Sequence, residues 1–183
     1  MKESLMNILR NRQTPMAAFK ETSNALSRII ATEVKNSLSE DISEKIVLLP
    51  ILRAGIALLP AFMDLFTQAR IGFIGLQRDA QAVPYLYYEK LPSLSSESQV
   101  IILDPMIATG GSMLLTLEHL TTLGGNPENY TVVGMIGTPQ AMEVIGKACP
   151  QAKIILGTID EGLDDQKYIV PGLGDFGDRF FGC

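Results

Sequence analysis

A chain of 183 residues, 46% hydrophobic and 19% charged, has the apolar mass for the core of one domain, which excludes a disordered chain. Its net charge of −5 excludes an extended basic face for nucleic acid, although a local cluster of arginines can still form a positive site. The two cysteines, Cys149 and Cys183, exclude a disulfide framework, and no run approaches the ~18 apolar residues of a membrane span.

With Lys2, Glu3 and Asn7, the N-terminus lacks the apolar core of a signal peptide, so a reducing cytoplasm is the expected setting. Leu5, Met6, Ile8 and Leu9 suggest a short amphipathic segment, a candidate contact with a neighbouring subunit. Thr14-Pro15 reads as a helix start, with Thr14 as cap. Phe19, Leu26, Ile29, Ile30, Val34 and Leu38 then fall at helical spacings, so residues 1–40 form an N-terminal helical segment.

Ile46 to Leu49 begins a buried strand, which leads through Pro50-Ile51-Leu52-Arg53-Ala54-Gly55 into a predicted helix over 56–66. Just past a strand end, the Arg53 guanidinium can offer a planar donor fork to a phosphate; alternatively it makes an ordinary surface ion pair. Residues 71–76 predict a second strand. The polar stretch Gln77 to Pro84 reads as a loop, and the aromatic run 85–91 as a returning strand. Together 77–91 would make a hairpin arm.

Val100 to Leu103 is a further buried strand, ending at an acid. Asp104-Pro105-Met106-Ile107-Ala108-Thr109-Gly110-Gly111-Ser112 follows, and a helix is predicted over 112–123. A strand, a loop of small residues and a helix N-terminus make an anion site: glycines admit close approach, free N–H groups point outward and the helix dipole favours negative charge. Thr109 and Ser112 add hydroxyl donors. A carboxylate beside such a site makes sense if Asp104 accepts hydrogen bonds from sugar hydroxyls or helps hold a hydrated metal. The pattern predicts a sugar phosphate as ligand. His119, the only histidine, falls on the polar face of that helix and reads as solvated.

Strand 130–136, helix 139–149 and strand 153–158 complete an alternation that predicts an α/β fold with a mainly parallel sheet flanked by helices. In such sheets ligands gather beyond the carboxyl ends of the strands, where Arg53 and Asp104 to Ser112 both fall. The last stretch, Tyr168-Ile169-Val170-Pro171-Gly172-Leu173-Gly174-Asp175-Phe176-Gly177-Asp178-Arg179-Phe180-Phe181-Gly182, leaves little room for a regular element, yet its apolar residues gain by burial. An ordered glycine-rich loop over 160–183 can present N–H and C=O groups to a flat heterocycle.

Asp104 to Ser112 resembles the phosphoribosyl-pyrophosphate loop of type I phosphoribosyltransferases, and its Asp-Pro-Met form is similar to that of the uracil phosphoribosyltransferases. Pro-Ile-Leu-Arg-Ala-Gly around Arg53 resembles the pyrophosphate-side loop of that family, and Tyr168 to Asp175 resembles its uracil-binding segment. The resemblance implies a single domain over 1–183 with a β-arm over the active site and an irregular base-binding loop. It implies transfer of the phosphoribosyl group of 5-phosphoribosyl 1-pyrophosphate to uracil, giving UMP and pyrophosphate. It further implies Arg53, Arg78 and Asp175 as catalytic residues, with Arg53, Arg78, Asp104 to Ser112 and Asp175 on the phosphoribosyl pyrophosphate. Tyr168, Ile169, Gly174, Asp175 and Phe176 would take the uracil, and Mg²⁺ would be carried by the pyrophosphate with no direct protein ligand. A homodimer or higher homo-oligomer follows from the same likeness, with no nucleic-acid or membrane partner. Two alternatives stay open: a phosphoribosyltransferase for another base, and a catalytically silent or regulatory paralogue on the same fold. The Gln77 to Pro84 loop departs from the family's pattern, carrying Ala80-Gln81-Ala82 where the family commonly has acidic and threonine residues.

Overall fold

The computed structural model describes residues 1–39, 44–78 and 84–183, and of Arg78 the main chain. Two helices come first, α1 (Lys2–Arg10) and α2 (Met16–Asn36). Then follow β1 (Ile46–Leu52), a single 3₁₀ turn over Ala54–Ala57, α3 (Leu59–Leu65), β2 (Arg70–Ile71), β3 (Phe73–Arg78) and β4 (Pro84–Lys90). The second half runs β5 (Gln99–Leu103), β6 (Met106–Ile107), α4 (Gly111–Thr122), β7 (Tyr130–Gly137), α5 (Pro139–Ala148), β8 (Lys153–Ile159), β9 (Gly162–Leu163), β10 (Ile169–Val170) and α6 (Phe176–Phe181).

The central strands are apolar on both faces because both faces are covered. On one side, Leu48, Ile101, Leu103, Val133 and Met135 pack with Leu9, Phe19, Leu26, Ile30 and Phe62 from α1, α2 and α3. On the other, Val47, Leu49, Val100, Ile102 and Val132 pack with Met113, Leu117 and Leu120 of α4 and Ala141 and Ile145 of α5. Successive strand residues therefore enter opposite cores, as the two-residue side-chain period requires. The sheet runs β4-β3-β1-β5-β7-β8, with β2 beside β1 and β6 beside β7. Only β4 is antiparallel to its neighbour; β1, β2, β3, β5, β6, β7 and β8 pair in parallel.

Three expectations need correction. Thr14 does not cap α2: its hydroxyl donates to the Ile8 carbonyl at 2.7 Å and closes the α1–α2 turn, while Pro15 precedes the first helical residue. The helix expected over 56–66 is a 3₁₀ turn followed by a shorter α-helix, with Pro60 in the first turn of α3. The last stretch is more regular than its glycines suggest, because β9 and β10 pair as a small ribbon and α6 follows. Burial drives that ordering: Leu173 is inaccessible, and the Phe176 ring lies 5.3 Å from Phe19 and 5.5 Å from Phe180.

Candidate active site

β5 and β7 deliver the anion loop to the carboxyl edge of the sheet. The Asp104 N–H donates to the Val133 carbonyl at 3.0 Å, and the Pro105 carbonyl accepts from the Met135 and Ile136 N–H groups, so the loop begins pinned to β7. The Asp104 carboxylate accepts the Met106 N–H at 3.3 Å. Gly110 stands at φ 82°, a left-handed conformation that a β-branched residue resists, and it starts α4. Thr109 Oγ1 accepts from the Gly111 N–H at 3.4 Å. Asp104 and Met106 to Met113 line a small open cradle at this helix start. It can receive a dianionic phosphate through main-chain donors and the helix dipole.

Thr138 supports the cradle from below. Its hydroxyl donates to the Ala108 carbonyl at 2.6 Å while accepting the Ala141 N–H at 3.1 Å, so one buried group caps α5 and holds the anion loop. Sequence reasoning passed it over, although Thr138-Pro139 is a helix-start signal.

A second, larger pocket of about 340 Å³ is lined by Arg12, Met106, Asp164, Tyr168, Ile169, Val170, Pro171, Gly174 and Asp175. Four of the five residues expected at the base, Tyr168, Ile169, Gly174 and Asp175, thus share one pocket. The fifth, Phe176, turns its ring into the core. Asp175 caps α6 by accepting the Asp178 N–H at 2.9 Å. Met106 belongs to the walls of both, so the cradle and this pocket adjoin.

The terminal loop keeps its shape through groups far away in sequence. Arg10 pairs with the buried Asp160 through two contacts of 2.8 and 2.5 Å and also donates to the Gly172 carbonyl at 2.9 Å. Asp160 in turn accepts the Gly172 N–H at 2.8 Å. The Arg179 guanidinium donates to the carbonyls of Leu9, Asn11 and Leu173 and lies over the Phe19 ring. None of these roles was predicted, since Arg10 and Asp160 stand 150 residues apart.

Arg53 lines neither pocket. It lies where Gly55 packs tightly on β5, so tightly that an added Cβ would stand 2.3 Å from the Leu103 carbonyl oxygen. The guanidinium is largely exposed, donating to Cys183 Sγ at 3.3 Å and facing Asp178 at 3.8 Å. Its acidity is weakened further by these two groups, the Cys183 contact first. The main chain of Arg78 pairs with Pro84 where the arm closes, and Pro84 Cγ would stand 3.7 Å from a Cβ on Gly111. The arm thus reaches the anion loop; its tip, residues 79–83, lies outside the described residues. His119 is not simply solvated: Nε2 lies 2.5 Å from Glu89 Oε2 and ties α4 to the arm.

With this geometry in place, comparison with known proteins is informative. The family model for uracil phosphoribosyltransferase matches residues 36–183. Uracil phosphoribosyltransferase of Limosilactobacillus reuteri is 34% identical over 194 residues, which covers 97% of this chain and 92% of that one. The enzyme of that name from Synechococcus elongatus is 38% identical over 97% of this chain and 91% of its own. Among solved structures, the AQ2163 protein of Aquifex aeolicus superposes with a TM-score of 0.86 at 30% identity, over 98% of this chain and 93% of that one. The APRTase of Giardia lamblia complexed with 9-deazaadenine, at 15% identity and a TM-score of 0.61 over 85% and 84%, shares the fold.

Proposed function

We infer the function from a plain premise: this chain belongs to the uracil phosphoribosyltransferase family. It transfers the 5-phosphoribosyl group from phosphoribosyl pyrophosphate to uracil, giving UMP and pyrophosphate. The single observation that carries this reading is the wall shared at Met106, which sets a sugar-phosphate cradle beside a heterocycle pocket. A ribose bridging the two would bring its anomeric carbon near the base.

In this reading Ala108 to Ser112 hold the 5′-phosphate and Asp104 accepts hydrogen bonds from the ribose hydroxyls. As the bond to pyrophosphate breaks, positive charge builds on the sugar ring and negative charge on the leaving group. Arg53, Arg78 and Asp175 are the residues assigned to that step. The arginines act on the departing charge, and for Arg53 this means leaving Cys183 and Asp178 for the diphosphate. Tyr168, Ile169, Gly174 and the Phe176 main chain position the base, so most of the rate enhancement comes from orientation and charge stabilisation.

Among the described residues no three ligating side chains converge, and the one carboxylate at the cradle is Asp104, an oxygen donor that suits a hydrated hard cation. Mg²⁺ carried by the diphosphate would neutralise its oxygens. The same reading includes a homo-oligomer, supported by the exposed Tyr85, Tyr87 and Tyr88 on the arm, and a cytoplasmic setting. No described helix is long and apolar enough to cross a membrane.

The test is to incubate the protein with labelled uracil, phosphoribosyl pyrophosphate and Mg²⁺ and to follow both products. UMP and pyrophosphate should appear in equal amounts. Pyrophosphate without UMP, or neither product, would overturn the reading.

A further inference from the structure

Besides Arg53 at its far end, three arginines meet the terminal loop, and two of them hold it together. Arg10 is bound to Asp160 and Gly172, and Arg179 to three main-chain carbonyls. The third, Arg12, has no hydrogen-bond or ion-pair partner among the described residues, and it is exposed on the wall of the heterocycle pocket. Its guanidinium rests against the Gly174 main chain: a Cβ built on Gly174 would stand 3.1 Å from Arg12 Cζ and closer still to Nη1. The guanidinium thus fills the space that any larger residue at 174 would need, beside the very backbone that should meet the base.

The charges around it define what such a cation can do. Two carboxylates share the pocket, but Asp164 Oδ1 already accepts the Gln166 and Tyr168 N–H groups, and Asp175 Oδ1 accepts that of Asp178. Arg179 stands behind Arg12, and its proton affinity is lowered first by burial and then by repulsion from Arg12. An anion arriving in the pocket would meet one uncommitted donor fork and relieve that repulsion.

We propose that Arg12 is a further residue of the transfer reaction, one that donates to an exocyclic oxygen of the heterocycle and stabilises the negative charge it gathers as its ring N–H is lost. This rests on the uracil reading above. The step balances without a further reactant. The ring nitrogen's electron pair forms the bond to the anomeric carbon, the C–O bonding pair leaves with pyrophosphate, and the nitrogen's proton passes to water. A cation beside the ring lowers the cost of placing charge there, and a weakly acidic heterocycle gains most from it.

The test compares uracil with its more acidic analogue 5-fluorouracil in the parent protein, Arg12→Gln and Arg12→Lys. Because Arg12 is exposed and makes no hydrogen bond or ion pair among the described residues, the melting temperature of both variants should stay within about 2 °C of the parent, and calorimetric affinity for phosphoribosyl pyrophosphate should be unchanged. Arg12→Gln should lower kcat/KM for uracil by at least about tenfold while lowering that for 5-fluorouracil much less, so the ratio of the two rises. Arg12→Lys, which keeps the charge and loses the fork, should recover part of the loss. Unchanged uracil kinetics in Arg12→Gln would overturn the proposal, as would an equal loss for both bases, since a residue that only shapes the pocket gives no dependence on acidity. A parent protein that makes no UMP overturns the underlying reading, and the proposal falls with it; a parent that makes UMP isolates Arg12 as the only claim at stake.

Discussion

Gly110 concentrates the chemistry of the anion loop in one residue. At φ 82° it begins α4, and a Cβ there would stand 3.2 Å from Val144 Cγ1 and 3.4 Å from the Ala141 Cα. Gly110→Val forces both the left-handed conformation and that contact, at a cost of about 1–3 kcal/mol. The variant should stay folded, because the change lies at the rim of the sheet, and should lose phosphoribosyl-pyrophosphate binding. Calorimetry showing parental affinity would remove the cradle as the phosphate site. The cradle at the start of α4 was legible because a Thr-Gly-Gly-Ser turn between strand and helix carries its chemistry locally. Arg12 and Arg10 were not, since nothing in a run of Arg10-Asn11-Arg12 distinguishes the residue paired with the buried Asp160 from the one left on a pocket wall.

Elements here hold one another through single groups, and two of those joints give clear expectations. Thr138 joins the start of α5 to the anion loop, so Thr138→Ala should destabilise the protein by about 1–2 kcal/mol and raise KM for phosphoribosyl pyrophosphate. Thr138→Ser, which retains the hydroxyl, should restore both; urea unfolding together with steady-state kinetics would show whether fold and site respond as one. Asp160 joins α1 to the turn after β10. Removing its side chain leaves the Gly172 N–H without a partner and Arg10 with only the Gly172 carbonyl, and Asp160→Ala should cost about 2–3 kcal/mol and impair uracil use more than diphosphate affinity. A uniform loss of both affinities would argue that Asp160 supports the sheet and not the loop. The same joints explain why the terminal stretch resisted reading: beyond the Asp175 cap and the Gly182 end of α6, its ordering depends on Leu173, Phe176 and Arg179 meeting α1 and α2, contacts distant in sequence. Truncating from Gly172 would therefore remove part of the core, so substitutions probe the base pocket better than deletions.

The whole molecule is a sheet with a core on each face, and the alternation of apolar strands with amphipathic helices made that visible beforehand. One core carries its own titration. Burial pushes the Tyr130 phenol above its ordinary 10.0 and the Cys149 thiol above its ordinary 9.0, because both sit among apolar neighbours that disfavour the charged form. Raised values in the folded state mean that the folded protein holds these protons more tightly than the unfolded chain. Their contribution is fully present below the unfolded values and is lost as pH rises through the folded ones. The urea midpoint should therefore fall from about pH 9 upward, and Tyr130→Phe with Cys149→Ala should flatten that fall. A midpoint constant across this range would contradict the shifts, and one falling equally in the double variant would assign the alkaline sensitivity to other groups.

The claim that anion cradle and terminal loop form one site selective for uracil meets its most direct test in competition. Equal concentrations of uracil, cytosine, adenine and hypoxanthine are offered with phosphoribosyl pyrophosphate and Mg²⁺, and the nucleoside monophosphates formed are counted by mass spectrometry. A pocket lined by main-chain donors and acceptors leaves its own groups unpaired when the wrong base enters, at about 1–3 kcal/mol for each. UMP should exceed every other product by at least about a hundredfold. A mixture led by CMP, AMP or IMP would contradict it.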